Sequence, residues 1–364
     1  MKVDRLDVSV YTIPTEEPES DGTFTWDRTT VVVAEPVAGD LRGLGFTYGS
    51  AACATVIEES LVPIVVGERA DDARGAFHRM VRAVRNTGRP GIASAAISAV
   101  DTALWDLEAK LYGRALVTLL GQVHDEVACY GSGGFTSYTD DELGAQLGHW
   151  VHDQGIPRVK MKIGTAWGSR ERRDLERVEH ARRAIGDEPD LFVDANGGYT
   201  RKQAVRLARS FEHLGVTWFE EPVSSDDLHG LAEIRSMITA DVAAGEYGYD
   251  LVYFERMCAA GAVDVLQADV SRCGGFTEWL RVAALAAAHG LQVSGHCAQS
   301  LHASVACAVP NVRHLEYFHD HARVDRLLFD GVLDPTGGVL RPDVERPGLG
   351  LDLKRVDAER YRRS

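Results

Sequence analysis

The chain has 364 residues, 45% of them hydrophobic, and sets 54 acidic against 39 basic side chains for a formal charge of −15. That balance excludes a nucleic-acid partner, because phosphate recognition needs a concentrated Lys/Arg face and the basic residues here mostly share helices with acids. The length suits a β/α barrel plus a smaller domain, and MKVDRLDVSVYTIP lacks the long apolar core of a signal peptide or membrane span, so no membrane partner is expected.

In chain order, alternation in KVDRLDVSVYTI, TTVVVAE and LRGLGFTY predicts three antiparallel strands, followed by helices over about 51–66, 71–85 and 92–112. This is an α+β domain over 1–125. From Val127 the pattern becomes strand then helix, repeated, with eight strands expected near 127, 158, 191, 216, 242, 263, 291 and 314. Gly215, Gly261 and Gly290 stand where left-handed C-caps end helices. A barrel therefore spans 126–329. After Phe318 the tail shows turn residues and one short strand-like run without a further full β/α unit, and the segment from about 330 to 364 is expected to return to the first domain. The six cysteines, at 53, 129, 258, 273, 297 and 307, form no CxxC pair, which suits a reducing cytoplasm.

Acidic residues recur at the ends of the barrel's strand-like runs: Asp194 in LFVDAN, Glu220 in VTWFEE, Glu246 in VAAGE and Asp269 in VDVLQAD, followed by His296 in LQVSGH and Glu316 in HLEYF. From 194 to 220 and from 220 to 246 the step is 26 residues, the length of one strand, one helix and two loops. Each acid alone reads equally well as a solvated strand-end residue or a helix N-cap. Three in register on adjacent strands, Asp194, Glu220 and Glu246, need a compensating cation, and all-oxygen ligation favours Mg²⁺.

Lys160 and Lys162, two apart in RVKMKI, point to one strand face, the interior mouth of the barrel. Two ammoniums and a nearby divalent ion favour deprotonation of one, so Lys162 is the candidate general base with a lowered pKa. On the other side, Asp269 and His296 end neighbouring strands, where the carboxylate fixes the imidazole tautomer as a His–Asp dyad. Glu316 comes next round the ring, placed to hydrogen-bond a substrate oxygen.

These residues resemble the enolase superfamily, and within it the mandelate racemase subgroup. The resemblance runs through SAVDTALWDLEAKLYGRALVTLLG, VKMKIG, FVDANGGY, WFEEP, AAGE, LQADVSRCGG, SGHCAQS and HLEYF. It implies a modified TIM barrel, (β/α)₇β, with an α+β capping domain, and Mg²⁺ stabilising an enediolate formed by removing the proton α to a carboxylate. It implies Asp194, Glu220 and Glu246 as metal ligands, Lys162 as base on one face, and Lys160 contacting the substrate carboxylate. His296 with Asp269 becomes the acid/base on the other face, and Glu316 the donor to a carboxylate oxygen. Asn196, within FVDANGGY, is expected to contact substrate. The family also implies a homo-oligomer, a dimer or octamer.

Asp269 stands where muconate cycloisomerase and the dipeptide epimerases have Lys, and HLEYF replaces the epimerases' Asp-x-Asp, so those activities are not expected. Glycolytic enolase lacks the second-strand KxK. Bases on both faces permit two outcomes: β-elimination of water to a 2-keto acid, or reprotonation with inversion. Substrate choice is expected to lie in cap loops over SDGTFTWDRTT and GLGFTYGS, where Thr25, Trp26, Arg28 and Tyr48 are candidate contacts. The first loop is rich in groups able to hydrogen-bond hydroxyls, Asp21, Thr23, Thr25, Asp27 and Arg28, which favours a polyhydroxylated acid, and pairing of Arg28 with a second carboxylate would make it a diacid. The expected activity is dehydration of an acid sugar, an aldonate or aldarate; the alternatives are racemisation of a 2-hydroxy acid and a non-catalytic binding barrel. His314, His319 and His321 are not expected to form a metal site, nor Gly274 and Gly275 an anion cradle.

Overall fold

In the computed structural model, which describes residues 1–363, β1 (Arg5–Ser20) and β2 (Thr25–Ala38) form a long antiparallel hairpin that β3 (Leu41–Arg42) and β4 (Gly45–Tyr48) extend. Val31 to Ala34 of β2 and Phe46 of β4 are fully buried, and since successive side chains alternate, this stretch of β2 is covered on both faces. Helix α1 (Ala52–Val56) passes through a π turn (Ile57–Leu61) into α2 (Val62–Val65); α3 (Ala73–Ala83), α4 (Ile92–Leu111) and α5 (Leu116–Leu120) follow.

The barrel strands are β5 (Val127–Gly133), β6 (Arg158–Lys162), β7 (Asp190–Asp194), β8 (Val216–Glu220), β9 (Asp241–Ala244), β10 (Val265–Ala268), β11 (Gln292–Gly295) and β12 (Val312–Phe318). All eight expected strands form, and β12 pairs in parallel with β5 to close the ring. The helices between them are α6 (Asp140–Gly148), α7 (Glu171–Ile185), α8 (Arg201–Glu212), α9 (Leu228–Arg235), α10 (Leu251–Ala259), α11 (Gly275–Ala288) and α12 (Gln299–Ala306). Capping boxes at Thr139/Glu142 and Thr200/Gln203, and side-chain caps from Asp227 and Asp250, start four of them. Gly215, Gly261 and Gly290 take positive φ of 67°, 61° and 71°, as the C-cap reading required.

One element departs from the sequence reading. HDHARVDRLL forms a further helix, α13 (His319–Leu328), directly after β12; its buried positions Ala322, Val324, Asp325 and Leu328 follow helical spacing that the polar residues obscured. Beyond it, Phe329–Asp330 pairs with Asp352–Leu353, and Val339–Leu340 pairs antiparallel with β5. The last residues reach the first sheet through Arg363 N to Val10 O at 2.8 Å and an ion pair from Arg355 to Glu35.

Two buried layers position the mouth of the barrel. Inside it, Tyr130, Phe192, Trp218, Ala243 and Val265 form an apolar plug, with His314 against the Tyr130 ring at 4.8 Å. Helix α4 is the other, buried on nearly all sides between the cap sheet and α11. Its Asp101 accepts from Thr277 N (3.0 Å) and Oγ1 (2.7 Å), so the start of α11 already holds a carboxylate, and a Cβ on Gly275 would collide with it. That packing accounts for the Gly274–Gly275 pair. His314, His319 and His321 lie apart, against the plug, against Phe135 and Trp150, and against Tyr48 respectively.

Asp106 of α4 accepts from Leu44 N (2.7 Å) and Leu349 N (2.6 Å) and pairs with Lys110 (2.7 Å), tying the cap sheet and the C-terminal segment to one carboxylate. Asp106→Ala leaves two buried N–H groups and an ammonium without their acceptor. We expect a loss of about 3 kcal/mol in urea unfolding; an unchanged midpoint would show that the carboxylate does not join these segments.

Candidate active site

The parallel register carries the acids to one level. Lys162 of β6 lies beside Asp194 of β7, which lies beside Glu220 of β8. Glu246, Asp269 and His296 follow one or two residues past β9, β10 and β11, while Glu316 sits inside β12, which continues to Phe318. Among the described residues six that are not glycine have positive φ, and all occupy the loops leaving these strands: Ala166, Trp167, Asn196, Glu221, Cys297 and Ala298. A strand that must aim its last side chain inward and then turn sharply toward a helix concentrates strain there.

Asp194, Glu220 and Glu246 converge as expected, one carboxylate oxygen of each lying within 4.8 Å of the others, all three buried. Asp194 accepts from Asn196 N (2.9 Å) and Glu220 from Trp218 Nε1 (3.0 Å), which orients both. Glu246 Oε2 is buried without a hydrogen-bond partner. Burial, offset in part by Lys160, lifts the Glu220 carboxyl to about 8. Burial likewise raises Glu221, at φ 38°, well above the carboxylate range and keeps it neutral. With every carboxyl ionised, Asp194, Glu220, Glu246, Asp269 and Glu316 carry two more charges than Lys160, Lys162 and Arg272 supply, and the raised Glu220 carboxyl is the mark of that missing positive charge. One divalent cation with oxygen ligands fits that donor set and that charge.

Both lysines face the mouth. Lys162 Nζ lies 2.5 Å from Asp194, and Lys160, fully buried, bonds Glu220 and lies 2.7 Å from Glu316 and 3.5 Å from Asp194. The expected lowering of the Lys162 pKa is reversed. Burial is the largest influence and disfavours its charge, but the Asp194 carboxylate together with Glu316 and Glu220 offsets burial and Lys160 and raises the pKa. The expectation of a lowered pKa applies to a lysine beside a divalent ion. A second ammonium alone does not overcome a carboxylate in contact.

His296 Nδ1 lies 2.8 Å from Asp269 Oδ2, the dyad read from sequence. Asp269 also accepts from Ser271 N and Oγ at 2.7 Å and pairs with Arg272 at 3.3 Å, so it stays ionised, its pKa lowered by His296 and Arg272 against burial. Nδ1 then carries the proton and Nε2 faces the mouth. Glu316 differs from its expected role as donor. It accepts from Ser132 Oγ (2.6 Å) and Cys297 N (2.9 Å), and Lys160 and His296 hold it ionised despite burial. A carboxylate so held only accepts.

The cap residues are placed differently from the expectation. SDGTFTWDRTT is the tip of the β1–β2 hairpin, and Thr25, Trp26 and Arg28 belong to strand β2. Cross-strand pairing continues past Pro14 after a register shift, which the loop reading of 20–30 did not include. Thr25 is exposed, and Arg28, 64% exposed, pairs with its neighbour Asp27 at 2.7 Å. Tyr48 is buried in β4, donates to Asp325 and stacks on His321, which makes it a strut between cap and barrel. Trp26 does reach the barrel. It packs edge-on against Phe135 at 5.5 Å, and Phe135 meets Phe318, whose ring lies 6.0 Å from Lys162 Nζ. Sequence reasoning missed Phe135, Phe318, Cys297, Arg272, Ser132 and Glu221; only the doubled acid in WFEEP and the Asp269/Arg272 spacing of three hinted at any of them.

Comparison with known proteins followed from this geometry. Residues 12–121 match the family model described as the N-terminal domain of mandelate racemase / muconate lactonizing enzyme, and residues 142–358 match the enolase C-terminal domain-like model. L-talarate/galactarate dehydratase of Salmonella typhimurium (strain LT2) is 31% identical over 365 residues, covering 97% of this chain and 89% of the relative. A mandelate racemase/muconate lactonizing enzyme-like protein from Rubrobacter xylanophilus superposes with TM-score 0.96 at 50% identity, covering 100% of both chains. A racemase from Streptomyces coelicolor A3(2) with bound magnesium gives 0.93 at 29% identity, covering 99% of this chain and 100% of that one.

Trp26 Nε1 donates to Glu19 Oε2 at 2.9 Å, and burial with the nearby Asp320 pushes the Glu19 carboxyl up to about 8. Trp26 fluorescence should therefore titrate with a midpoint near pH 8, and Glu19→Gln should abolish that transition. The raised pKa contributes stability below about pH 4.5 that is lost as pH climbs through about 8, so Glu19→Gln should lose less stability over that window. A wild-type emission flat across it would place Glu19 elsewhere.

Proposed function

The chain belongs to the mandelate racemase / muconate lactonizing enzyme family of the enolase superfamily, and from that membership we propose that it is a Mg²⁺-dependent dehydratase of an acid sugar. The substrate is an aldonate or aldarate, and the product a 2-keto-3-deoxy acid. The observation that carries the reading is the convergence of Asp194, Glu220 and Glu246, flanked by Lys162 on one side and His296 on the other. Relatives named as talarate/galactarate, arabinonate and L-rhamnonate dehydratases support the substrate class.

Asp194, Glu220 and Glu246 would hold Mg²⁺, which supplies the Lewis acid that stabilises negative charge on the substrate carboxylate as the α-proton leaves. Lys160, buried between Glu220 and Glu316, adds a fixed positive charge beside that carboxylate. Lys162 reaches the mouth from β6, and His296 from β11, three strands away by way of β5 and β12. One group takes the α-proton. For dehydration His296 enters as the imidazolium, which burial opposes and Glu246 and Glu316 favour. It gives its Nε2 proton to the departing β-hydroxyl, so a C–H and a C–O bond break, water leaves, and the enol tautomerises to the keto acid. Asp269 keeps the imidazole oriented throughout. Trp26 of the hairpin packs on Phe135 and, through it, on Phe318 of β12, whose ring lies 6.0 Å from Lys162 Nζ. This aromatic cluster limits access of water to the Lys162 side.

The same two-sided placement favours a second reading, racemisation or epimerisation of a 2-hydroxy acid, in which the opposite group returns the proton. The reading further assigns a cap of 1–125 completed by about 330–364 and a barrel of 126–329, supported by the bonds from Arg363 and Leu349 back to Val10 and Asp106. It places a homo-oligomer in the cytoplasm. Six free, buried thiols support a reducing compartment, and among the described residues no helix is long and apolar enough to cross a membrane.

Purified enzyme with Mg²⁺ should convert at least one member of an acid-sugar library to a semicarbazide-reactive keto acid. EDTA should abolish turnover and Mg²⁺ restore it. Lys162→Ala and His296→Asn should each lower kcat by about 10²–10⁴-fold. Solvent deuterium entering the α-carbon without keto product would replace dehydration by racemisation, and retained Mg²⁺-dependent turnover in Asp194→Ala would remove the metal assignment.

A further inference from the structure

His296, Cys297 and Glu316 bring three different donor atoms together, buried at the ends of β11 and β12, two strands round the ring from Glu246. Cys297 Sγ lies 3.3 Å from His296 Nε2 and 3.3 Å from Glu316 Oε2, and those two lie 3.7 Å apart. Bond lengths of about 2.3 Å to sulfur and about 2.0–2.2 Å to nitrogen and oxygen give a tetrahedral ion donor–donor edges of about 3.4–3.6 Å. The three measured edges fall within about 0.3 Å of those of such a tetrahedron, the two to sulfur shorter and the nitrogen–oxygen edge longer.

The surroundings suit coordination as well. His296 gives its other ring N–H to Asp269, the carboxylate–histidine pairing that orients a metal-bound imidazole. Lys160 and Ser132 occupy Glu316 Oε1, while Oε2 accepts from Cys297 N at 2.9 Å and turns its remaining side toward the thiol. Glu246 Oε2, buried and without a hydrogen-bond partner, lies 3.2 Å from His296 Nε2, so Glu246 of the carboxylate triad also borders this cluster. Hard Mg²⁺ prefers the all-oxygen triad, whereas a thiol, an imidazole and one carboxylate select a borderline transition ion.

We propose that His296 Nε2, Cys297 Sγ and Glu316 Oε2 form a second metal site, specific for a Zn²⁺-like ion, whose occupation blocks the His296 side of the active site. Binding deprotonates the thiol and releases one proton to solvent, and the metal takes the lone pair with which Nε2 accepts protons. The coordination stands on the donor geometry alone; the inhibition rests on the role proposed above for His296.

The test is titration of Mg²⁺-loaded enzyme with Co²⁺ as a coloured probe and Zn²⁺ as competitor. Co²⁺ should produce a near-ultraviolet thiolate-to-metal charge-transfer band, displaced by Zn²⁺ and absent from Cys297→Ala and Cys297→Ser, whose circular dichroism checks folding. Asp269→Asn should weaken Co²⁺ binding by about 10–100-fold. Zn²⁺ should inhibit wild type, and the concentration giving half-inhibition should rise at least about tenfold in Cys297→Ala. A missing band, or one unchanged in both Cys297 variants, overturns the site. Inhibition by Zn²⁺ without the band also overturns it, since the ion would then act at the carboxylates. A band accompanied by unaltered turnover overturns the inhibitory half and, with it, the acid/base role of His296.

Discussion

The structure depends on holding several carboxylates within a few ångströms of one another where little water reaches them. At that separation like charges repel strongly in a medium of low dielectric constant, so the arrangement persists only if the backbone fixes it and positive charge balances it. The barrel's hydrogen-bond register provides the first: Lys162, Asp194 and Glu220 are successive partners across β6, β7 and β8. Lys160, Lys162 and Arg272 provide part of the second. The shortfall of two charges is what makes a divalent ion the natural complement of this mouth.

Other features follow from that requirement. A charged layer needs a rigid floor, and the plug of Tyr130, Phe192 and Trp218 supplies one, with the Trp218 indole turned up to bond Glu220 and the Tyr130 ring under Lys160 at 5.4 Å. It also needs a roof. The β1–β2 hairpin provides it on one side through Trp26, Phe135 and Phe318, and its tip approaches so closely that a Cβ on Gly22 would meet the carbonyl of Ile163 at 2.5 Å. The loops between floor and roof carry the left-handed residues, so local strain falls where side-chain direction matters most.

Much of the site was legible because it obeys short-range rules. Side chains alternate along a strand, so Lys160 and Lys162 had to share a face, and the β/α unit repeats at a nearly fixed length, so Asp194, Glu220 and Glu246 had to reach the same rim. The hairpin over 20–30 was misread because Pro14 and the turn-forming residues resemble a loop, whereas the cross-strand pairs that make it a hairpin are non-local. Tyr48 was misread for a related reason: an aromatic beside glycines looks available, and only the distant Asp325 and His321 show that it is engaged.

By itself the sequence determined the barrel, the level at which its acids lie and which three carboxylates meet, since periodicity and strand polarity are properties of adjacent residues. Tertiary structure alone decided the ionisation of Lys162 and Glu316, the meeting of Cys297 with His296 and Glu316, and the aromatic wall that joins cap to barrel. Those depend on distances and burial among residues far apart in the chain, and electrostatic energy is set by separation in space rather than by position in sequence.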